Sequence, residues 1–125
     1  MKIIFFIILH YFKMANYEIV NKKPTHSSKI IENLNSKLEE RELTYREEKV
    51  LEYLKKFNKI SSSDFEKALQ ELKDLNIARV EEAQLIKILE IMPKNGTELR
   101  SIISHGGVIV VDETVEQILS ILKKY

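Results

Sequence analysis

The side chains of this 125-residue chain that could do chemistry are three histidines, two carboxylate-rich runs, a serine triplet and a glycine pair. His10, His26 and His105 are scattered, and with no cysteine in the chain they lack the short, fixed ligand spacings that zinc requires. They read as surface or loop residues. Glu39-Glu40-Arg41-Glu42 and Arg46-Glu47-Glu48-Lys49 crowd carboxylates together, but mixed signs three and four residues apart mark a solvated helix face. General acid/base work needs carboxyls whose pKa values are driven apart by burial, and neither run carries that signal. Ser61-Ser62-Ser63 reads as a helix entry. Gly106-Gly107 precedes Val108-Ile109-Val110-Val111, whereas a phosphate cradle needs strand, glycines and helix in that order. The sequence therefore predicts no catalytic, metal or cofactor site, and no small-molecule substrate.

One basic cluster remains. Lys49, Lys55, Lys56 and Lys59, with Tyr53 and Phe57 interleaved, combine cations and rings as a weak nucleic-acid contact would. Against it, Phe57 falls in an apolar helical stripe assigned to the core, and lysines flanking such a stripe serve solubility. Lys87, Lys94 and Arg100 form a second weak surface around Pro93. The formal net charge is +1, and residues 1–13 carry two lysines and no acid, so the remainder is neutral to within one charge. Tight, independent binding to nucleic acid would show a clear basic excess. Any such contact is predicted to be weak or assisted.

The elements that must position these residues fit within one domain at this length. A composition of 44% hydrophobic and 31% charged residues, with three Gly and two Pro, belongs to a folded, helix-rich chain. The absence of cysteine fits a reducing compartment and a cytoplasmic protein. Residues 1–13 are anomalous. Their apolar run, Ile3 to Leu9, is short for a signal-peptide core, lacks a cleavage motif and is far too short to span a bilayer. Met14-Ala15 offers a second start, so the segment reads as an over-extended gene start; an added strand or a membrane-surface anchor are the alternatives.

Tyr17-Glu18-Ile19-Val20 is β-prone and is closed by Pro24, which predicts one strand without a partner in the chain, suited to augmenting another protein's sheet. Ile30, Ile31, Leu34 and Leu38 predict a first helix from Ser27 or Ser28 to about Arg41. Thr44 and Glu47 form a capping box for a second helix that turns Val50, Leu51, Leu54 and Phe57 inward. Ser63 and Glu66 repeat that logic for a third helix with Phe65, Ala68, Leu69 and Leu72 inside, stopped by Asn76. A fourth helix, about Val80 to Ile91, buries Val80, Ala83, Leu85, Ile86, Ile88 and Leu89 and ends at Pro93. Asn95 and Glu98 open a short helix containing Leu99, Ile102 and Ile103, and Asp112 caps a last one around Val115, Ile118, Leu119 and Leu122.

The combined order of Leu43-Thr44-Tyr45, Val50-Leu51-Glu52-Tyr53-Leu54-Lys55-Lys56-Phe57, Ile88-Leu89-Glu90-Ile91-Met92-Pro93, Glu98-Leu99-Arg100-Ser101-Ile102 and Ile118-Leu119-Ser120-Ile121-Leu122-Lys123-Lys124-Tyr125 resembles the F-type stalk subunit of archaeal DNA-directed RNA polymerase, the counterpart of the fourth subunit of eukaryotic RNA polymerase II. The resemblance runs from Tyr17 to Tyr125. It implies a mainly α fold: an N-terminal strand and helix, within residues 14–43, that clasp the E-type stalk subunit, then a bundle over residues 44–125 similar to the helicase and RNase D C-terminal domain (HRDC-like). It implies a non-catalytic subunit of the stalk near the RNA exit path, heterodimeric with the E-type subunit and bound through it to the polymerase core. Tyr17, Glu18, Ile19 and Val20 would form the added strand, and Ile30, Ile31, Leu34 and Leu38 would press on the E-type subunit or on the bundle. Leu99, Arg100 and Ile102 would be structural or interface residues. Ala78-Arg79 departs from the family's usual acidic cap and is expected to loosen the fourth helix's start. A stand-alone nucleic-acid-binding module of the helicase C-terminal type is the alternative; a membrane-tethered adaptor rests on Ile3 to Leu9 alone.

Overall fold

The computed structural model describes residues 18–104 and 107–125. Among the described residues the chain forms six α-helices and no strand: α1 (Ser27–Glu40), α2 (Tyr45–Phe57), α3 (Ser62–Asp74), α4 (Glu82–Ile91), α5 (Gly96–Ile103) and α6 (Asp112–Leu122). The expected N-terminal strand is therefore corrected: residues 18–20 are irregular and exposed, and Tyr17 lies outside the described residues, as do residues 1–13 and His105 and Gly106. The physical reason is the orphan backbone itself. A strand exists through a ladder with a neighbour, and an all-helical chain offers none.

Polar side chains at the helix starts set most of the boundaries. Thr44 Oγ1 accepts from Glu47 N at 3.3 Å while Glu47 Oε2 accepts from Thr44 N at 2.9 Å, completing the expected capping box. Asn95 Oδ1 accepts from Glu98 N at 2.9 Å. Three expected starts shift. Ser61, not Ser63, caps α3 by accepting from Asp64 N at 3.2 Å. α6 is entered from Val111, with Asp112 already inside its acidic first turn, where it suits the helix dipole. α4 begins at Glu82 instead of Val80, because Asn76 and Arg79 both adopt positive φ (47° and 62°) and turn the chain twice before Gln84 Oε1 accepts from Glu81 N at 2.8 Å. Ala78 and Arg79 lie in this turn, ahead of the helix. Met92, also left-handed at φ 52°, ends α4 before Pro93.

α3, α4, α5 and α6 enclose the main core: α3 packs on α4 and α6, and α5 packs on both α4 and α6. Phe65, Ala68, Leu72, Ile88, Leu89, Leu99 and Ile118 are among its most buried members, all as expected from helical spacing. Ala83 is the exception on α4 and is exposed. The chain end is fastened by Glu71, whose carboxylate accepts from Lys124 Nζ and from the Tyr125 hydroxyl, each at 2.5 Å. These bonds hold the Glu71 carboxyl below its ordinary pKa, Lys124 contributing most, and raise that of Tyr125.

α1 and α2 form a hairpin outside that core, joined to it chiefly where α1 meets α3. Its own core is small: Leu34, Leu43 and Leu51 are buried, with Ile31 half-buried against them. Val50 and Phe57, expected inside, are exposed. α2 has α1 as its main neighbour, so one side of its apolar surface is covered, around Leu51 and Leu54, and the adjoining side is open.

Candidate partner interface

The hairpin is held from both ends. At the start of α1, His26 is 1% exposed and stacks on Phe65 of α3 with ring centroids 4.5 Å apart and planes at 19°. Its Nδ1 accepts from Ser28 N at 3.1 Å and lies 2.8 Å from Ser28 Oγ, so the imidazole itself caps α1. With Nδ1 accepting, the neutral ring carries its proton on Nε2, which lies 3.2 Å from Glu90 Oε2 of α4 without hydrogen-bond alignment. The same carboxylate oxygen accepts from Ser27 N at 3.0 Å, placing a negative charge at the positive end of α1. Ser27 Oγ donates to Asn58 Oδ1 at 3.0 Å, bringing the end of α2 into the same knot. His26 is thus neither a surface residue nor a free loop residue. Histidine is seldom a helix cap, and the two serines beside it carried the sequence signal instead.

At the other end, the turn between α1 and α2 closes on Glu47. Arg41 donates from Nη1 and Nη2 to its two carboxylate oxygens at 2.9 and 2.8 Å, Lys37 Nζ lies 3.6 Å away, and Thr44 N supplies the capping bond. The paired guanidinium, followed by the Thr44 amide, holds the Glu47 carboxyl well below the usual carboxylate range. Arg41 is raised in turn. Within the carboxylate-rich run around residues 39–49, Glu47 and Arg41 therefore clamp the turn.

Between these fastenings the hairpin leaves apolar side chains in water. Of the residues expected to meet a partner, Leu34 is 6% exposed and belongs to the hairpin core, Ile31 is half-buried beside it, and Ile30 and Leu38 flank them at the surface, Leu38 52% exposed. Glu18, Ile19 and Val20 lie in the irregular segment before α1 and are exposed, Val20 93%. α2 adds a second open stripe, Val50, Tyr53 and Phe57, of which sequence spacing assigned Val50 and Phe57 to the core; Tyr53 is 61% and Phe57 56% exposed, with their rings 4.7 Å apart. The basic cluster divides. Lys49 is paired with Glu52 at 3.0 Å, Lys56 lies 5.8 Å from the centre of the Phe57 ring, Lys59 Nζ donates to Ile91 O at 2.6 Å, and Lys55 stands in the last turn of α2.

Nothing among the described residues groups three or more potential metal ligands, and no described helix is long and apolar enough to cross a membrane. The model of the RNA polymerase Rpb4 family matches residues 15–125. The chain belongs to the RNA polymerase Rpb4 family. It is 29% identical over 113 residues to DNA-directed RNA polymerase subunit Rpo4 of Methanocaldococcus jannaschii, an alignment covering 90% of this chain and 93% of that relative. Rpb4-family proteins are accessory polymerase subunits that do no chemistry themselves, in keeping with a chain that spends its polar side chains on caps and clamps. Within this Rpb4-family fold, Arg100 has a structural task. It donates to Val110 O at 2.6 Å and pairs with Asp112, pinning the segment that enters α6.

Proposed function

We propose that the chain is a stalk subunit of a cytoplasmic, archaeal-type RNA polymerase, paired with the E-type stalk subunit and joined through it to the polymerase core near the RNA exit path. The observation that carries this reading is the row of solvent-facing apolar side chains on α1 and the segment before it: Ile19, Val20, Ile30 and Leu38 lie open on a hairpin whose turn and base are both fastened. An exposed apolar row on a rigid support is characteristic of a surface completed by a partner. Ile31 and Leu34 act beneath it, setting the pitch of α1 from inside the hairpin.

Co-expression with the polymerase subunits of the native source, followed by affinity purification of this chain, tests the assignment. The E-type subunit and the large polymerase subunits are expected to co-purify. Recovery of neither would overturn it. Ile30→Glu with Leu38→Glu, or deletion of Tyr17 to Pro24, is expected to leave the helical circular-dichroism signal intact and weaken pairing at least tenfold; unchanged affinity for the E-type subunit would remove α1 and its leading segment from the interface.

A further inference from the structure

α2 carries a seam that pairing through α1 leaves open. Arg46, Val50, Tyr53 and Phe57 recur at alternating steps of four, three and four residues, the spacing by which one helix receives another, and all four are exposed. Leu51 is turned into the hairpin core, so the seam lies on the adjoining side of the helix. The Tyr53 and Phe57 rings stand with centroids 4.7 Å apart and planes tilted by 45°, and Val50 carries the apolar row one turn back toward the start of α2.

Charge selects what can lie along this seam. Lys56 Nζ is 5.8 Å from the centre of the Phe57 ring, and Arg46 and Lys59 stand near the two ends of the row. No described carboxylate lies within 4 Å of any of these three cations. The acids nearby are taken, Glu47 by Arg41 and Glu52 by Lys49, and Glu48 falls opposite the seam by helical spacing. An uncharged apolar surface docking here would strip water from the cations and give nothing in return. A second copy of α2 laid along the first would set like charges side by side. The chain's own apolar run, Ile3 to Leu9, holds no acid and lies between Lys2 and Lys13. The occupant that satisfies both the apolar row and the cations is a helix apolar on one side and acidic along its flanks.

We infer that α2 docks an acidic amphipathic helix of a partner protein other than the E-type subunit, its apolar side on Val50, Tyr53 and Phe57 and its carboxylates against Arg46, Lys56 and Lys59. The helix lies along α2 and adds a third member to the α1–α2 hairpin. This contact goes beyond the pairing reading and does not depend on it.

Fluorescence anisotropy of the full chain, alone and paired with the E-type subunit, tests the inference with a labelled helical peptide of about eighteen residues whose leucines follow a heptad and whose flanking positions are glutamate. Saturable binding that weakens with salt is expected in both forms, and a lysine-flanked peptide with the same leucines should bind roughly tenfold more weakly. Tyr53→Ala and Phe57→Ala should each weaken binding of the glutamate peptide roughly fivefold or more, with circular dichroism unchanged. Arg46→Glu with Lys56→Glu should reverse the preference between the two peptides. Absence of saturable binding, equal binding of the two peptides, ring variants that bind as the wild type does, or a preference that the double variant leaves unreversed would overturn the assignment. So would loss of peptide binding on pairing with the E-type subunit, which would make the seam part of the pairing surface. An oligouridylate that binds through Tyr53 and Phe57 where the glutamate peptide does not would also overturn it.

Discussion

The α3–α6 bundle and the α1–α2 hairpin are built from amphipathic helices with similar polar caps, yet among the described residues one assembles seventeen buried apolar residues into a single core and the other three. The difference lies in neighbours. α3 is covered by α4, α6 and α1, so every side of its apolar stripe is used, whereas α2 has α1 as its main companion and leaves Val50, Tyr53 and Phe57 in water. The hairpin is joined by polar fastenings at its base and its turn, and leaves part of its apolar surface exposed.

Core truncation in the two regions is the strongest way to break that comparison. Leu89 is fully buried in the main core of the bundle, and Leu89→Ala is expected to cost about 2–5 kcal/mol through lost transfer energy and the cavity it leaves there. Leu51→Ala removes one third of the hairpin's small core, which can collapse onto solvent, and is expected to cost about 2 kcal/mol at most. Urea denaturation followed by circular dichroism measures both, and amide exchange should find the amides of α2 opening before those of α4. Equal costs, with exchange equally slow in α2 and α4, would mean that the chain is one cooperative unit and that the hairpin needs no partner.

The base of the hairpin sharpens the comparison at a smaller scale. His26→Ala removes an imidazole stacked on Phe65, the cap accepting from Ser28 N and the contact facing Glu90. A loss of about 1–2 kcal/mol is expected, concentrated in α1. His26→Asn restores a capping side chain without the stack and should recover the part due to the cap. If the alanine variant leaves exchange in α1 unchanged, the fastening is not what joins hairpin to bundle.

Much of this architecture was legible from residue spacing, and the failures share a cause. The helices, the Thr44 and Asn95 caps and the bundle core from Phe65 to Leu122 follow from local patterns of apolar and capping residues, which physics reads within one or two turns. Val50 and Phe57 were misassigned because periodicity reports that a side of a helix is apolar, not that a neighbour exists to cover it. β-prone residues at 17–20 suggested a strand for the same reason: propensity is local and a ladder is not. His26 and Glu90, 64 positions apart, meet only through the packing of α1 on the bundle, and no short-range signal ties them. The apolar residues of α1 were indicated by the stripe, but which of them face inward depended on Leu43 and Leu51 arriving from beyond the turn.

The turn gives the smallest expected effect and the one with a defined dependence on pH. Glu47 is deprotonated more easily in the folded chain than in the unfolded one, because Arg41 and the Thr44 amide hold its carboxylate. A carboxyl with a depressed folded-state pKa contributes stability that is fully present above its unfolded value, about 4.3, and is lost as pH falls through the folded value below it. Wild type should therefore lose hairpin stability progressively below about pH 4, and Glu47→Gln should be less stable at neutral pH while losing less on acidification. Exposure of the clamp to solvent keeps the effect small, and raised salt should shrink it further. Thermal melts of the two proteins between neutral and acid pH read the difference directly. Parallel curves would show that the Thr44 cap alone fixes the turn, and that the hairpin's rigidity owes nothing to the ion pair.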